Sequence, residues 1–129
     1  MIILDTDTCI DLLRGKRITL LRRAQQNESI GISFTTVGEL YYGAEMSNSQ
    51  EKNYTLIEQF LLSVRVVQTD LVILRRFGLL KATLQKNGTL LSDADLLIAA
   101  TTLEKGTKLI TGNIRHFDRI AGLVIETWR

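Results

Sequence analysis

The side chains best suited to chemistry in this chain are carboxylates, and they fall at three places. Asp5 follows the apolar run Ile2-Ile3-Leu4, Glu39 lies in "TTVGEL", and Asp93 and Asp95 open "SDADLLIAA". Each place is one where a predicted strand gives way to a helix or a helix begins. A carboxylate at the end of a buried strand is costly unless something compensates it. Carboxylates gathered at one edge suit a hard cation: Mg²⁺ and Mn²⁺ take such oxygens and keep several waters. An ion of that kind cleaves a phosphodiester with little other help, by activating a water and stabilising the charge that builds on the phosphate. Like charges repel, so such a cluster is destabilising by itself and loads a cation readily.

Every acid also has a purely structural reading. Asp5 or Asp7 can cap the first helix. Thr36-x-x-Glu39 has the form of a capping box, and so has Ser92-x-x-Asp95, with Asp93 placed well near a helix N-terminus. One at a time, Glu39 and Asp95 read more easily as caps. Three acids on one edge of one sheet favour the metal reading. Thr6, Thr8, Thr111 and Asn113 stand beside them and can orient a water or a phosphate oxygen, or bond loop backbone. Arg115 is a candidate phosphate contact. His116 reads as a packing or loop-bonding residue, because metal-activated water needs no imidazole base.

The elements that must position these groups alternate between strand and helix. Ile2–Leu4, 29–34 ("SIGISF"), 64–68 ("VRVVQ"), 108–111 ("KLIT") and 123–127 ("LVIET") have strand character. Helical spacing falls between them. A first helix is capped by Asp7 or Thr8 and stopped by Gly15. Others run over 17–27, from a Thr35 or Thr36 cap through "VGELYYGAEM", and from Asn48. A long one runs from an Asp70 cap to Asn87-Gly88, and one through "SDADLLIAATTLEKG" closes at Gly106. This alternation predicts an α/β fold with a mainly parallel sheet of four or five strands flanked by helices on both faces. Ligands of such folds sit outside the carboxyl ends of the strands, where Asp5, Thr111 and Asn113 fall.

At 129 residues, with 45% hydrophobic and 23% charged residues, the chain predicts one globular domain spanning 1–129. A net charge of +2 is too small to indicate nucleic acid by itself. The short basic runs at 14–17 ("RGKR"), Arg22-Arg23 and Arg75-Arg76 read as solvated helix faces, or as phosphate attraction if they line the approach to the acids. The single cysteine, Cys9, and the absence of a basic-then-apolar leader predict a cytoplasmic protein with no membrane segment.

Four blocks in series, "IILDTDTCI", "TTVGELYYGA", "LLSDADLLIAAT" and "LITGNIRHFDRI", resemble those of the PIN-domain ribonucleases, and within them the VapC toxins of type II toxin–antitoxin systems. The resemblance covers essentially the whole chain. It implies a PIN-like fold and a metal-dependent endoribonuclease with Mg²⁺ or Mn²⁺ held by Asp5, Glu39 and Asp95. It prefers Asp95, the acid directly before "LLIAA", over Asp93, which becomes accessory. Thr6 matches the hydroxyl position after the first acid. Many PIN domains carry a fourth acid where this chain reads Thr111-Gly112-Asn113, so the number of metal ions stays open, as does the part played by Asp7. The resemblance further implies a homodimer, a transfer or ribosomal RNA substrate, and a cognate VapB-type antitoxin that lays an apolar segment across a toxin groove. Tyr41, Tyr42, Tyr54 and Phe60 are either part of such an interface or core.

Two other readings differ in class. D-x-D-x-T after a strand also opens phosphoaspartyl phosphatases of the haloacid dehalogenase type, in which Asp5 would be a nucleophile. That chemistry needs a lysine and a later acidic pair after a strand, and neither is evident. The other is a non-catalytic RNA-binding PIN module, against which all three principal acids count.

Overall fold

The computed structural model describes residues 1–129. Its elements, in chain order, are β1 (Ile2–Leu4), α1 (Thr6–Leu13), α2 (Arg17–Ala24), β2 (Ile30–Ser33), α3 (Phe34–Glu45), α4 (Gln50–Leu62), β3 (Arg65–Val67), α5 (Leu71–Lys86), α6 (Asp93–Lys105), β4 (Lys108–Ile110), α7 (Ile114–Phe117) and β5 (Ile125–Glu126). The strands form one five-stranded parallel sheet in the order β3-β2-β1-β4-β5. The predicted α/β class and the helices on both faces are observed.

Strand β1 lies at the centre, and Ile2, Ile3 and Leu4 have no exposed surface. A parallel strand covered on both faces reads as an unbroken apolar run for this reason. Its alternating side chains feed two cores. Ile3 joins Leu109 of β4 and the apolar sides of α5, α6 and α7, including Ile73, Leu96, Ile98 and Phe117. Ile2 and Leu4 join Ile32, Ile110, Trp128 and residues of α1, α3 and α4, among them Leu12, Leu40 and Phe60. No helix is long and apolar enough to cross a membrane.

The strand order places the functional edge. From β1 the chain steps one way to β2 and β3, then returns on the other side as β4 and β5. The switch therefore falls between β1 and β4, and a ligand crevice opens at such a point beyond the strand ends. Leu4 pairs in register with Ile110, and the Asp5 N–H donates to the Ile110 carbonyl at 2.8 Å. Asp5 and Thr111 thus emerge side by side.

Several boundaries differ from the sequence expectation. Of the candidate caps of α1, Asp5 serves, accepting from the Thr6 N–H, and Asp7 and Thr8 do not. Ser33 caps α3, accepting from the Thr36 N–H, in place of Thr35 or Thr36. β2 pairs through Ser33 opposite Val67, so the chain turns there. Helix α4 starts at Gln50 rather than at Asn48, β5 shrinks to two residues, and α7 was not foreseen. The Asp70 cap, accepting from the Ile73 N–H at 2.9 Å, is as expected, and Gly15 and Gly88 take the positive φ values of 71° and 69° that follow their helices.

Candidate active site

Asp5 ends β1 and is 3% exposed. Its Oδ1 accepts from the Thr6 N–H at 2.8 Å, and its Oδ2 accepts from the Thr111 hydroxyl at 2.7 Å. Both donors are neutral. Burial pushes the carboxyl up to about 7; the charges of Asp7 and Asp95 add to the rise, and the Thr111 and Thr6 hydrogen bonds restrain it. Thr111 can give its proton to Asp5 because its oxygen accepts separately from the Asn113 N–H at 2.9 Å.

Glu39 reaches the same edge through Thr6. The Thr6 hydroxyl lies 2.6 Å from Glu39 Oε1 and 3.1 Å from Thr36 Oγ1. With one proton to give, it donates to the carboxylate and can take the Thr36 proton in return. The predicted Thr36–Glu39 capping box does not form: with Ser33 as cap, Glu39 falls beyond the first turn and its carboxylate is available to Thr6.

Asp95 lies in the first turn of α6. Ser92 caps that helix, its Oγ accepting from the Asp95 N–H at 3.2 Å, so the donor half of the predicted box is present. The Asp95 side chain faces elsewhere, with Oδ2 3.4 Å from Nδ1 of His116. His116 is half exposed rather than packed, a correction to its expected structural role. Its position on α7, which the sequence did not reveal, brings it to the acid.

Asp93 pairs with Lys81 Nζ at 2.9 Å on a well-exposed stretch of α6. Asn113, in the N-cap position of α7, and Arg115 on that helix are exposed. Thr8 turns inward, its hydroxyl shared between the Ile110 carbonyl at 3.1 Å and Asp7 Oδ1 at 3.2 Å.

Two participants near this edge escaped the sequence reading. Asp11 is 2% exposed, and Arg129 Nε donates to its Oδ2 at 3.0 Å while Lys16 Nζ lies 3.1 Å from its Oδ1. Burial acts to raise the Asp11 carboxyl, but the two cations outweigh it and hold it below the ordinary value. Asp7 and Asp11, four residues apart, share one helix face, the only local sign of this arrangement.

No three of the acidic, histidine and cysteine side chains stand close enough together, as placed, to hold a metal ion among them. Mg²⁺ does not require three, because it binds through one or two carboxylates and fills the rest with water and substrate oxygens. A buried carboxylate with only neutral partners, beside further acids that raise its proton affinity, fits a hard divalent cation. Helices α1, α3 and α4 also enclose a groove of about 260 Å³, lined by Ile10, Leu13, Leu40, Leu56 and Ile57 and reaching Arg14 and Glu39. Of the aromatics weighed as interface, Phe60 is buried, Tyr41 and Tyr54 stack at 5.6 Å against the core, and Tyr42 is exposed.

Comparison with known proteins agrees with this architecture. The family model described as the PIN domain matches residues 2–123. Ribonuclease VapC2 of Haemophilus influenzae is 36% identical over 126 residues, covering 97% of this chain and 96% of the relative. The tRNA(fMet)-specific endonuclease VapC of Salmonella typhimurium is also 36% identical, with the same coverage. The structure of DNA-bound VapBC from Salmonella typhimurium contains a chain that superposes with a TM-score of 0.93 at 33% identity, covering 99% of this chain and 98% of that one.

Proposed function

The chain belongs to the PIN domain family, and within it we propose that this protein is the toxin of a VapBC pair, an endoribonuclease that uses Mg²⁺ or Mn²⁺ held by Asp5, Glu39 and Asp95. The observation that carries the metal reading is Asp5: a carboxylate 3% exposed at the switch point of the sheet, touched only by neutral donors, with Asp7 and Asp95 close enough to raise its proton affinity. Ribonuclease action and a VapB-type antitoxin are supported by the names of relatives that match nearly the full chain. Family membership speaks against the phosphatase reading, and the later acids Asp93 and Asp95 open helix α6 after α5 rather than follow a strand.

The chain's own residues divide the work. Thr111 and the Thr6 N–H fix the Asp5 carboxylate, and the Thr6 hydroxyl fixes Glu39. A divalent cation bound among these acids would supply water activation and charge neutralisation at the phosphate. Arg115 and Asn113, exposed beyond β4, are placed to meet the RNA backbone and orient its oxygens. The substrate class we favour is transfer RNA, on the strength of the Salmonella relative's name. The apolar groove between α1, α3 and α4 is the seat we assign to the antitoxin segment. A homodimer is part of the same reading.

The deciding experiment is cleavage of total cellular RNA by antitoxin-free protein, wild type and Asp5→Asn, in Mg²⁺, in Mn²⁺ and in EDTA. Discrete cuts that need both the cation and Asp5 and leave 5′-phosphate and 3′-hydroxyl ends are expected. Cuts that persist in EDTA, or 2′,3′-cyclic phosphate ends, would refute the mechanism. A folded protein that binds RNA without cutting it would be a non-catalytic module.

A further inference from the structure

We propose that Arg129 and Asp7 are positioning residues, which together brace the turn Thr111-Gly112-Asn113 and so keep the Thr111 hydroxyl on Asp5. The inference rests on the reading of Asp5 as a metal ligand. Asp7 Oδ2 accepts from the Gly112 N–H at 2.9 Å and lies 3.7 Å from Arg129 Nη2. Its other oxygen meets the Thr8 hydroxyl. Oδ2 of Asp7 is thus engaged by the turn and by Arg129, which makes Asp7 an anchor for the turn rather than a ligand.

Arg129 is itself fixed. Its Nε donates to the buried Asp11, whose second oxygen faces Lys16, and the adjacent Trp128 is 1% exposed in the core beside β1. The guanidinium covers Gly112 closely: a Cβ on Gly112 would stand 2.6 Å from Arg129 Cζ and 2.8 Å from Asp7 Oδ2. A side chain at Gly112 would have to displace the ends of both groups. The turn is thus held from one side by the Asp7 carboxylate and covered by the guanidinium, while its first residue aims at Asp5.

The test uses the full chain with two readouts: hydrogen exchange of the Gly112 amide in EDTA, and Mn²⁺ affinity by electron paramagnetic resonance. Asp7→Ala and Arg129→Ala should each speed Gly112 exchange at least tenfold and weaken Mn²⁺ binding about tenfold, the lower end expected when a partner of a metal ligand is lost. Asp7→Asn, which keeps an oxygen for the Gly112 N–H, should restore protection and most of the affinity. Should Arg129→Ala fail to fold, Gly112→Ala displaces the guanidinium without removing its charge and is expected to weaken Mn²⁺ equally. Wild-type exchange and affinity in folded Asp7→Ala and Arg129→Ala overturn the brace. Equal damage from Asp7→Asn and Asp7→Ala overturns it too, and makes Asp7 a ligand. If the wild type takes up no Mn²⁺ while Gly112 responds as described, the brace stands and the metal reading of Asp5 fails.

Discussion

The hydroxyl of Thr111 donates to Oδ2 of Asp5 across the boundary between β1 and β4, at 2.7 Å, with both residues buried. The Thr111 oxygen also accepts from the Asn113 N–H, and the hydroxyl proton goes to the Asp5 carboxylate. Thr111→Val keeps the shape and removes the donor. It should weaken Mn²⁺ binding by roughly 10- to 100-fold with little loss of fold, while Thr111→Ser stays close to wild type. Parallel Mn²⁺ titrations of the three proteins check this, and a Thr111→Val protein with unchanged affinity would mean that Asp5 needs no such orientation.

Asp5 makes stability depend on pH in an unusual direction. In the folded chain its carboxyl titrates at about 7, against an ordinary 3.8. Between those values the folded state holds the proton and the unfolded state does not, so stability falls as pH rises through this window. From pH 5 to pH 8 the loss is on the order of 3 kcal/mol. Denaturation in EDTA at pH 5 and pH 8 should show it in the wild type and not in Asp5→Asn, which should be the more stable protein at pH 8. Saturating Mg²⁺ should reverse the trend, because the cation binds the ionised form. A wild type with the same pH slope as Asp5→Asn would sink the idea.

What could be read in advance was local. An apolar triplet ending in an acid locates β1 and Asp5 because a central parallel strand leaves no room for alternation. Asp70, Ser92, Gly15 and Gly88 mark helix ends by caps and turns that depend on a few neighbouring residues. The cap of α3 lies earlier than its local pattern suggests because sheet pairing ends at Ser33, opposite Val67, and Phe34, the last residue of the apolar run, already belongs to the helix. That one shift is what frees Glu39 to meet Thr6. The links from Arg129 to Asp11 and Asp7, and from His116 to Asp95, join residues distant in sequence and become visible only once the sheet has closed.

The Asp11 cluster supplies a stability prediction of opposite sign. Asp11 is buried and held ionised by Arg129 and Lys16, so its contribution is present above the ordinary carboxylate range and lost as pH falls through its lower folded value. Removing both cations strands a buried charge; removing the acid does not. The double variant Lys16→Ala/Arg129→Ala should therefore cost about 2–3 kcal/mol near neutral pH, and more than Asp11→Asn. Urea midpoints of the two proteins at pH 6 decide the order, and Asp11→Asn as the more damaging change would show that the cations matter less than the acceptor.

His116 and Asp95 separate two accounts of the chemistry. Nδ1 of His116 stands 3.4 Å from Asp95 Oδ2, close enough to tempt a general-base assignment, yet long for a charged hydrogen bond. If the cation activates the water, the imidazole is dispensable and the carboxylate is not. Asp95→Asn should then lower cleavage by at least 100-fold and weaken Mn²⁺ binding. His116→Ala should lower cleavage by less than about tenfold and leave the Mn²⁺ titration in place, because His116 sits half in solvent and holds no other part of the site. Single-turnover rates measured across pH 6 to 9 give the sharper reading. A His116→Ala enzyme as slow as Asp95→Asn, with normal Mn²⁺ affinity and a flattened pH profile, would make the imidazole a proton carrier and reassign Asp95 as its partner.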